Sequence, residues 1–476
     1  MASTILTDEA RAENIKALAL AAGISPEQAA ERLEGRVLCT FDHDDAAAAQ
    51  FYQELSPILT RTIDAHDAPD GGPYLAEIVI GDATPMGVVA AVFVRLGHDG
   101  CCFGPKPIAA HHREPIDGAL AVVAACYGAA VAIHRAVGDG IPNPPPEYLE
   151  IRYDDVLPDR SVLNEAVDIG VAHMAGAGAI GNGFLWAARH VTLRGTLILC
   201  DDDDVSSGNL QRQIWFNEAN IGDPKASTLC DKAQPYMPGC RLKPEPKRLQ
   251  DLPNRSGAWL RRLIVAVDSR RARRELQNEL PAEVFDTSTT DIRDVVVHYN
   301  HAFSDLACLG CLYKADEKEA SQDQIIAEHL GVSVDEVKSS RISLAAAKAI
   351  ACKHPHIDPA SIEGEAYDSL YKTLCATGKL HASVGKQVVA PFAFVSVLAG
   401  ALLLFEVMTR LARPGLARTN EWHVSPWRAP FALGRLTRMR FSGCECCGKT
   451  VLRGLRSRLW SSDELTTNTA LGERLK

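Results

Sequence analysis

Apolar residues recur at helical spacing through residues 1–35, at Ile15, Leu18, Leu20, Ala29 and Leu33, and Gly23 and Pro26 split the stretch into two short helices. Residues 37–41, AEIVIG around Ile78 and VVAAVFVRL at 88–96 are rich in β-branched residues and predict strands. Residues 117–137 predict a long Ala-rich helix. The prolines of DGIPNPPPEY at 139–148 remove backbone donors and force an extended chain, which marks a domain boundary near residue 150. Beyond it the order changes. HMAGAGAIGNGFLWAARHV predicts a short approach, a Gly-rich turn and a helix. TLILCDDDDV predicts a strand ending in acids, 218–236 a helix, RLIVAVDS at 262–269 a further strand ending in an acid, and RRARRELQNEL another helix. Strand, turn, helix, strand in this order predicts a doubly wound parallel α/β sheet. Residues 316–380 are polar and helical, an insertion ahead of the apolar run 388–405.

That run, VVAPFAFVSVLAGALLLF, reaches the lower edge of a membrane span in length. Pro391 near its start, Gly400 near its end and the lack of a flanking basic cluster favour a helix buried in a large domain. The N-terminal stretch has no basic segment followed by an apolar run, so no secretory signal and a cytoplasmic location are expected. Lys plus Arg is 50 and Asp plus Glu is 60, a formal net charge of −10. An acidic chain is a poor non-specific partner for nucleic acid, whose phosphates need a basic surface. In a reducing compartment the 14 cysteines point to metal binding, catalysis or burial rather than disulfides.

The chemistry concentrates between residues 176 and 268. Gly176-Ala177-Gly178-Ala179-Ile180-Gly181 allows a tight turn and brings backbone N–H groups close to phosphates at a helix start. Such turns also join strands to helices with no ligand. Asp201, roughly twenty residues downstream at a strand end, stands where an acid accepts ribose hydroxyls. A dehydrogenase needs nothing more, yet here Asp203, Asn209, Arg212 and Gln213 crowd one loop, Lys225 follows, and Asp268 ends a further strand. Cations that take developing phosphate charge and a carboxylate that holds Mg²⁺ suit a reaction on ATP.

The order Asp-x-Asp-x-Val-(x)3-Asn-Leu-x-Arg-Gln after GxGxxG, then Gly-x-x-Lys and a strand-end Asp, resembles the ThiF/HesA/MoeB adenylation domain, which also forms the core of ubiquitin-activating enzymes. The resemblance spans roughly 160–312 and 370–447. It implies that Gly176, Gly178, Ala179, Gly181, Asp203 and Gln213 line the nucleotide and that Asp201 holds the ribose. It also implies that Asn209 and Arg212 line the triphosphate, Lys225 contacts phosphate and Asp268 binds Mg²⁺. Gly208 stands where the family usually has Ser, Ser269 where it has Asn, and Ala179 where many members have Gly. The implied reaction is attack by the C-terminal carboxylate of a small protein on the α-phosphate of ATP.

Cys308-Leu309-Gly310-Cys311 and Cys444-Glu445-Cys446-Cys447 form two C-x-x-C pairs, four thiolates suited to a closed tetrahedral Zn²⁺ site. Reduced buried cysteines are the alternative, and Cys446 could replace Cys447. Cys375, in TLCATGKLHASVG with Lys372, Lys379 and His381 close by, is the candidate nucleophile, because neighbouring cations favour a thiolate. Thioester-forming members of the family carry a Cys at this place, although the usual Gly-Val-Leu-Gly stretch reads GKLHASVG here. Cys352 is the second candidate.

Residues 1–150 resemble an adenylation domain more faintly, without the glycine loop or the ribose acid. They read as a degenerate, inactive copy ahead of an active domain at 151–476 whose helical insertion carries or positions the catalytic Cys. One chain would then imitate the homodimer of simpler members, although a homodimer of this chain also stays open. In that arrangement an Arg from the partner unit reaches ATP, and Arg11 is the candidate. The expectation is an enzyme that uses ATP, Mg²⁺ and Zn²⁺ to adenylate a ubiquitin-like protein, holds it as a thioester and passes it to a conjugating enzyme. The compact single chain points to a bacterial conjugation pathway of the kind found in phage-defence operons. The alternatives are a sulfur-carrier adenylyltransferase without a thioester step, a tRNA-modifying member, which the acidic charge disfavours, and a non-catalytic partner subunit, which intact ATP residues disfavour.

Overall fold

The computed structural model describes residues 6–87, 91–107, 111–253, 259–315, 317–339, 341–376, 390–415, 419–431 and 434–460. The expected strand start at 88–90, the GKLHASVG stretch with Lys379 and His381, the first two residues of the apolar run 388–405, and residues 461–476 lie outside them.

The first helices are α1 (Asp8–Ala22) and α2 (Pro26–Leu33). Thr7 caps α1, Gly23 ends it in the left-handed conformation, and Ser25 with Gln28 forms a capping box on α2. There follow β1 (Arg36–Phe41), α3 (Ala46–Leu59), β2 (Asp64–His66), β3 (Ala76–Ile80), β4 (Ala91–Leu96), β5 (Gly100–Gly104), α4 (Gly118–Val137) and β6 (Leu149–Arg152). Their sheet runs β2-β1-β3-β4-β5-β6. The first four strands are parallel, and β5 and β6 are added antiparallel. The Pro-rich stretch leads directly into β6.

A short α5 (Tyr153–Val156) precedes β7 (Ala166–Ala175), α6 (Ala179–Ala188), β8 (Thr192–Cys200), α7 (Lys225–Ala233), β9 (Cys240–Glu245), β10 (Arg262–Val265), α8 (Arg270–Asn278), β11 (Glu283–Thr290), β12 (Asp294–His301) and α9 (Leu309–Leu312). The helix expected over 218–236 starts only at Lys225, because Gly222-Asp223-Pro224 breaks the chain ahead of it; single 3-10 turns flank it on both sides.

Helices α10 (Glu317–Leu330), α11 (Val334–Lys338), α12 (Leu344–Lys353), α13 (Pro359–Ile362) and α14 (Tyr367–Ala376) belong to a separate compact unit, residues 312–388. Its own core includes Ile326, Leu330, Val337, Ile350, Tyr367 and Leu370. The chain then returns with α15 (Ala393–Ala412), β13 (Glu421–Val424), β14 (Arg435–Leu436) and α16 (Thr450–Leu459).

The second sheet runs β14-β13-β12-β11-β10-β7-β8-β9. It is parallel from β9 to β11, as the doubly wound pattern requires, and antiparallel from β12 to β14. One apolar core runs through both sheets. Among the described residues, helices α4 and α15 are the two long enough and apolar enough to cross a membrane, but 89% and 78% of their apolar windows lie inside the fold. Helix α15 crosses α6 in backbone contact: a Cβ on Gly400 would lie 2.2 Å from the Phe184 nitrogen. This packing holds the helix that starts at the glycine turn.

Candidate active site

In a doubly wound sheet a ligand sits outside the carboxyl ends of the strands, where the strand order reverses. In the second sheet that point lies between β7 and β10. The chain leaves β7 through Gly176, whose φ of +104° is a conformation L side chains rarely adopt, and an added Cβ would lie 2.6 Å from the Ala266 carbonyl oxygen just past β10. Helix α6 begins at Gly178 with no side chain capping it, and a Cβ there would meet nothing within 4 Å. The start of α6 therefore presents backbone donors and the positive end of its dipole to open space. Gly181 packs against the Gly176 carbonyl, and Ala179 is the first helical residue.

Asp201 follows β8 directly. Its Oδ2 accepts from the Ala177 N–H at 2.6 Å and its Oδ1 from the Asp203 N–H at 3.0 Å, so the acid braces the glycine turn. Desolvation pushes its pKa up to about 6, against the pull of Lys225. Lys225, at the first position of α7, is 7% exposed; its Nζ donates to Asp203 Oδ2 at 2.7 Å and its N–H to the Asp203 carbonyl at 3.0 Å.

The loop between them supplies the remaining groups. Asn209 Oδ1 accepts from the Ser206 N–H at 3.2 Å, and Arg212 Nη1 donates to the Gly208 carbonyl at 3.2 Å. Burial lowers the Arg212 pKa, while the charges of Glu13 and Asp268 work the other way. Gln213 is 2% exposed, and its Oε1 is a buried acceptor without a hydrogen-bond partner among the described residues. Asp268 lies past the end of β10, exposed, ahead of the Ser269 cap of α8. It is a hard oxygen donor beside a cationic loop, which fits Mg²⁺ bound together with phosphate. Beside the switch-point crevice the glycine turn, Asp201, Asp203 and Lys225 are joined by these contacts, Gly176 packs on the backbone just ahead of Asp268, and Arg212, on the same loop as Asn209 and Gln213, lies within electrostatic reach of Asp268.

Arg11 is exposed on α1, and its Nε donates to the Leu6 carbonyl at 3.3 Å. Its helix packs on the same loop, where Thr7 Oγ1 donates to the Ser207 carbonyl at 3.3 Å.

The four thiols Cys308, Cys311, Cys444 and Cys447 lie within 4.8 Å of one another. Sulfur pairs at 3.4, 3.7 and 3.9 Å approach the roughly 3.8 Å edge of a tetrahedron with metal–sulfur bonds of about 2.3 Å. The Phe441 N–H donates to Cys311 Sγ at 3.3 Å, a bond that favours thiolate. Gly310 is obligatory, since a Cβ would lie 2.6 Å from Cys446 Sγ. The donor set and spacing fit Zn²⁺, which would tie the β12 end of the sheet to the chain ahead of α16.

Cys375 lies in the last turn of α14 and Cys352 in the last turn of α12, both in the 312–388 unit. Cys352 is exposed.

The ThiF family model matches residues 171–434, over half of the chain. The chain belongs to the ThiF family. A second model, the E1 N-terminal domain, matches residues 7–154. An uncharacterized protein of Sinorhizobium fredii, y4jF, is 29% identical over 336 residues, covering 65% of this chain and 62% of that protein. The chain therefore spans less than two thirds of that relative's length. A crystal structure of E. coli MccB with succinimide aligns at 13% identity and a TM-score of 0.35, over 68% of this chain and 74% of that one.

Proposed function

We propose that this ThiF-family chain activates the C-terminal carboxylate of a ubiquitin-like protein in the cytoplasm. A carboxylate oxygen attacks the α-phosphorus of ATP, the bond to the β-phosphate bridging oxygen breaks, and pyrophosphate leaves with that oxygen's electron pair. An acyl-adenylate remains. The observation that supports this reading is that Asp201, Asp203 and Lys225 lie together beside an uncapped helix start, with Arg212 and Asp268 within electrostatic reach of each other. Asp201 would hold the ribose, the backbone of Gly176–Gly181 and Asn209 the phosphates, and Arg212 and Lys225 the charge that develops on pyrophosphate. Asp203 holds Lys225 in place until phosphate competes for it. Asp268 would hold Mg²⁺, whose charge offsets that of the phosphates.

In the second step the Cys375 thiolate would displace AMP and form a thioester, which a conjugating enzyme then accepts. The support is its position in a helical unit inserted ahead of α15. Lys372, Lys379 and His381, adjacent to it in sequence, are the cations that would favour its thiolate. A bacterial conjugation pathway, such as one that serves phage defence, is the setting we favour.

The experiment is a non-reducing gel with MgATP and a ubiquitin-like protein encoded beside this chain, run alongside ATP–pyrophosphate exchange. Cys375→Ala should keep exchange and lose the reductant-sensitive adduct. Loss of the adduct in Cys352→Ala instead moves the nucleophile there. Wild-type protein that exchanges pyrophosphate and never forms the adduct is a sulfur-carrier type adenylyltransferase, and the thioester step is then wrong.

A further inference from the structure

We propose that Arg61, in the N-terminal half of the chain, is a positioning residue for adenylation: it clamps the loop that carries Asn209, Arg212 and Gln213. The proposal rests on the adenylation reading above. Arg61 lies in the turn after α3 and is 5% exposed. Its Nη1 donates to the Leu210 carbonyl, and its Nη2 donates to those of Ile214 at 3.0 Å and Phe216 at 2.7 Å. These three carbonyls bracket Arg212 on both sides. Their oxygens would otherwise be acceptors left without water, each costing about 1–3 kcal/mol.

A guanidinium suits the task because its N–H groups form a rigid planar fork, whereas an ammonium is a compact point of charge. The clamp is itself held. Asn14 on α1, 2% exposed, donates from Nδ2 to the Arg61 carbonyl at 2.8 Å. The loop also folds on itself, with the Arg212 and Gln213 N–H groups donating to the Asn209 carbonyl at 3.1 and 3.0 Å. Asn182 of α6 accepts from the Trp215 N–H at 3.1 Å. The loop is thus fixed from the glycine-turn helix on one side and from the N-terminal half on the other.

Among the described residues no carboxylate forms an ion pair with Arg61, so carbonyl oxygens alone meet its charge. Burial lowers its pKa only to about 10, and it stays a cation at neutral pH. It therefore adds a fixed positive charge on the far side of the phosphate loop as well as three bonds. In the active crevice, charge placed before the reaction costs no reorganisation during it.

The test uses the full chain with three variants. Arg61→Met keeps the stem and removes the donors. Arg61→Lys keeps the charge without the fork. Glu54→Gln weakens a different buried contact, where Glu54 accepts from Trp186 Nε1 at 2.9 Å and pairs with Arg189 and His190. It serves as the control for a purely structural loss. The readouts are kcat and KM of pyrophosphate exchange, the MgATP dissociation constant, and amide hydrogen exchange across 207–216. Arg61→Met should lower kcat about 100-fold, the scale of a misplaced catalytic group, with the carrier KM unchanged. It should also loosen the loop amides and weaken MgATP, with Arg61→Lys intermediate and Glu54→Gln near wild type in all three. Wild-type kcat in Arg61→Met per folded molecule, or an equal loss in Glu54→Gln, overturns the proposal. Should Arg61→Met not fold, Arg61→Lys decides: wild-type kcat and loop protection there overturn it. Wild-type protein that exchanges no pyrophosphate contradicts the adenylation reading, and MgATP affinity and loop protection then judge Arg61 alone.

Discussion

The two halves of this chain place a strand-to-helix turn at the same topological point and do opposite things with it. In the second half, β7 leads through Gly176 to a helix start that no side chain caps. In the first half, β1 leads through Asp42-His43-Asp44-Asp45 to α3, and Asp45 caps that helix with a 3.0 Å bond from the Ala48 N–H. The Arg113 carbonyl takes the Ala47 N–H at 3.1 Å. Asp45 is buried and also pairs with the buried His111 at 2.7 Å, whose other ring nitrogen accepts from the Leu96 N–H at 3.2 Å. The donors that a phosphate would need are consumed, and a carboxylate stands where its charge would go. A shared fold therefore does not give a shared site; a capping acid at one helix start is enough to close it. On this reading the first half would be the inactive one, and the contribution to the reaction proposed for it passes through Arg61.

The sharpest break of the comparison removes the charges that only the second crevice has. Lys225→Ala, Arg212→Ala and Asp268→Asn should each lower carrier-dependent pyrophosphate exchange by about 100-fold or more, the usual cost of one transition-state partner, while the circular dichroism spectrum is unchanged. Full exchange in Asp268→Asn would remove its Mg²⁺ role. The next variant copies the first half into the second. Gly178→Asp has room for its side chain and needs no positive φ, so the fold should survive, yet the helix start would be capped as α3 is. MgATP affinity by calorimetry should fall by about 100-fold through competition for the donors and like charge. Unchanged affinity would mean that the helix start does not hold phosphate.

Acidity sharpens the contrast further. Asp201, with its pKa near 6, must be ionised to accept two ribose hydroxyls. MgATP affinity should drop about tenfold from pH 7 to pH 5, and Asp201→Asn should flatten that profile. Because the folded pKa lies above the unfolded one, the folded chain binds more protons between about pH 4 and 6. The stability of the nucleotide-free protein should fall as pH rises through that window, and Asp201→Asn should lack this component.

The smallest effects on chemistry concern stability alone. Cys308→Ser should lose the zinc, about one per chain by elemental analysis, and lower the melting temperature; metal-free protein of wild-type stability would refute the site. Asp45→Ala should cost about 2–3 kcal/mol by denaturant unfolding, from a lost cap and an orphaned His111, and leave MgATP affinity unchanged.

The glycine turn and Asp201 were legible because each directly follows a strand, and the Asn209–Gln213 run and Lys225 because they follow in a fixed order along the one connection between β8 and α7. Each cysteine pair was legible from its own local spacing, although over a quarter of the chain separates the two pairs. Strand β9, CRLKPE, has no β-branched run and gains its place from β8. The antiparallel strands β12 to β14 follow from sheet pairing that local pattern does not encode. Arg61 could not be found from sequence: it is one arginine after an apolar helix, and its three acceptors lie 149 to 155 residues away. Nor does any local pattern join Asp45 to His111, which sit at the two ends of a separation of 66 residues.

The stoichiometry of MgATP binding to wild-type protein, Gly178→Asp and Asp45→Ala, measured by calorimetry, decides most directly whether only the second half holds a nucleotide. One site per chain is expected in wild type, none detectable in Gly178→Asp at concentrations that saturate wild type, and one in Asp45→Ala with unchanged affinity. Two sites in wild type, or a site that survives Gly178→Asp and disappears in Asp45→Ala, would contradict it.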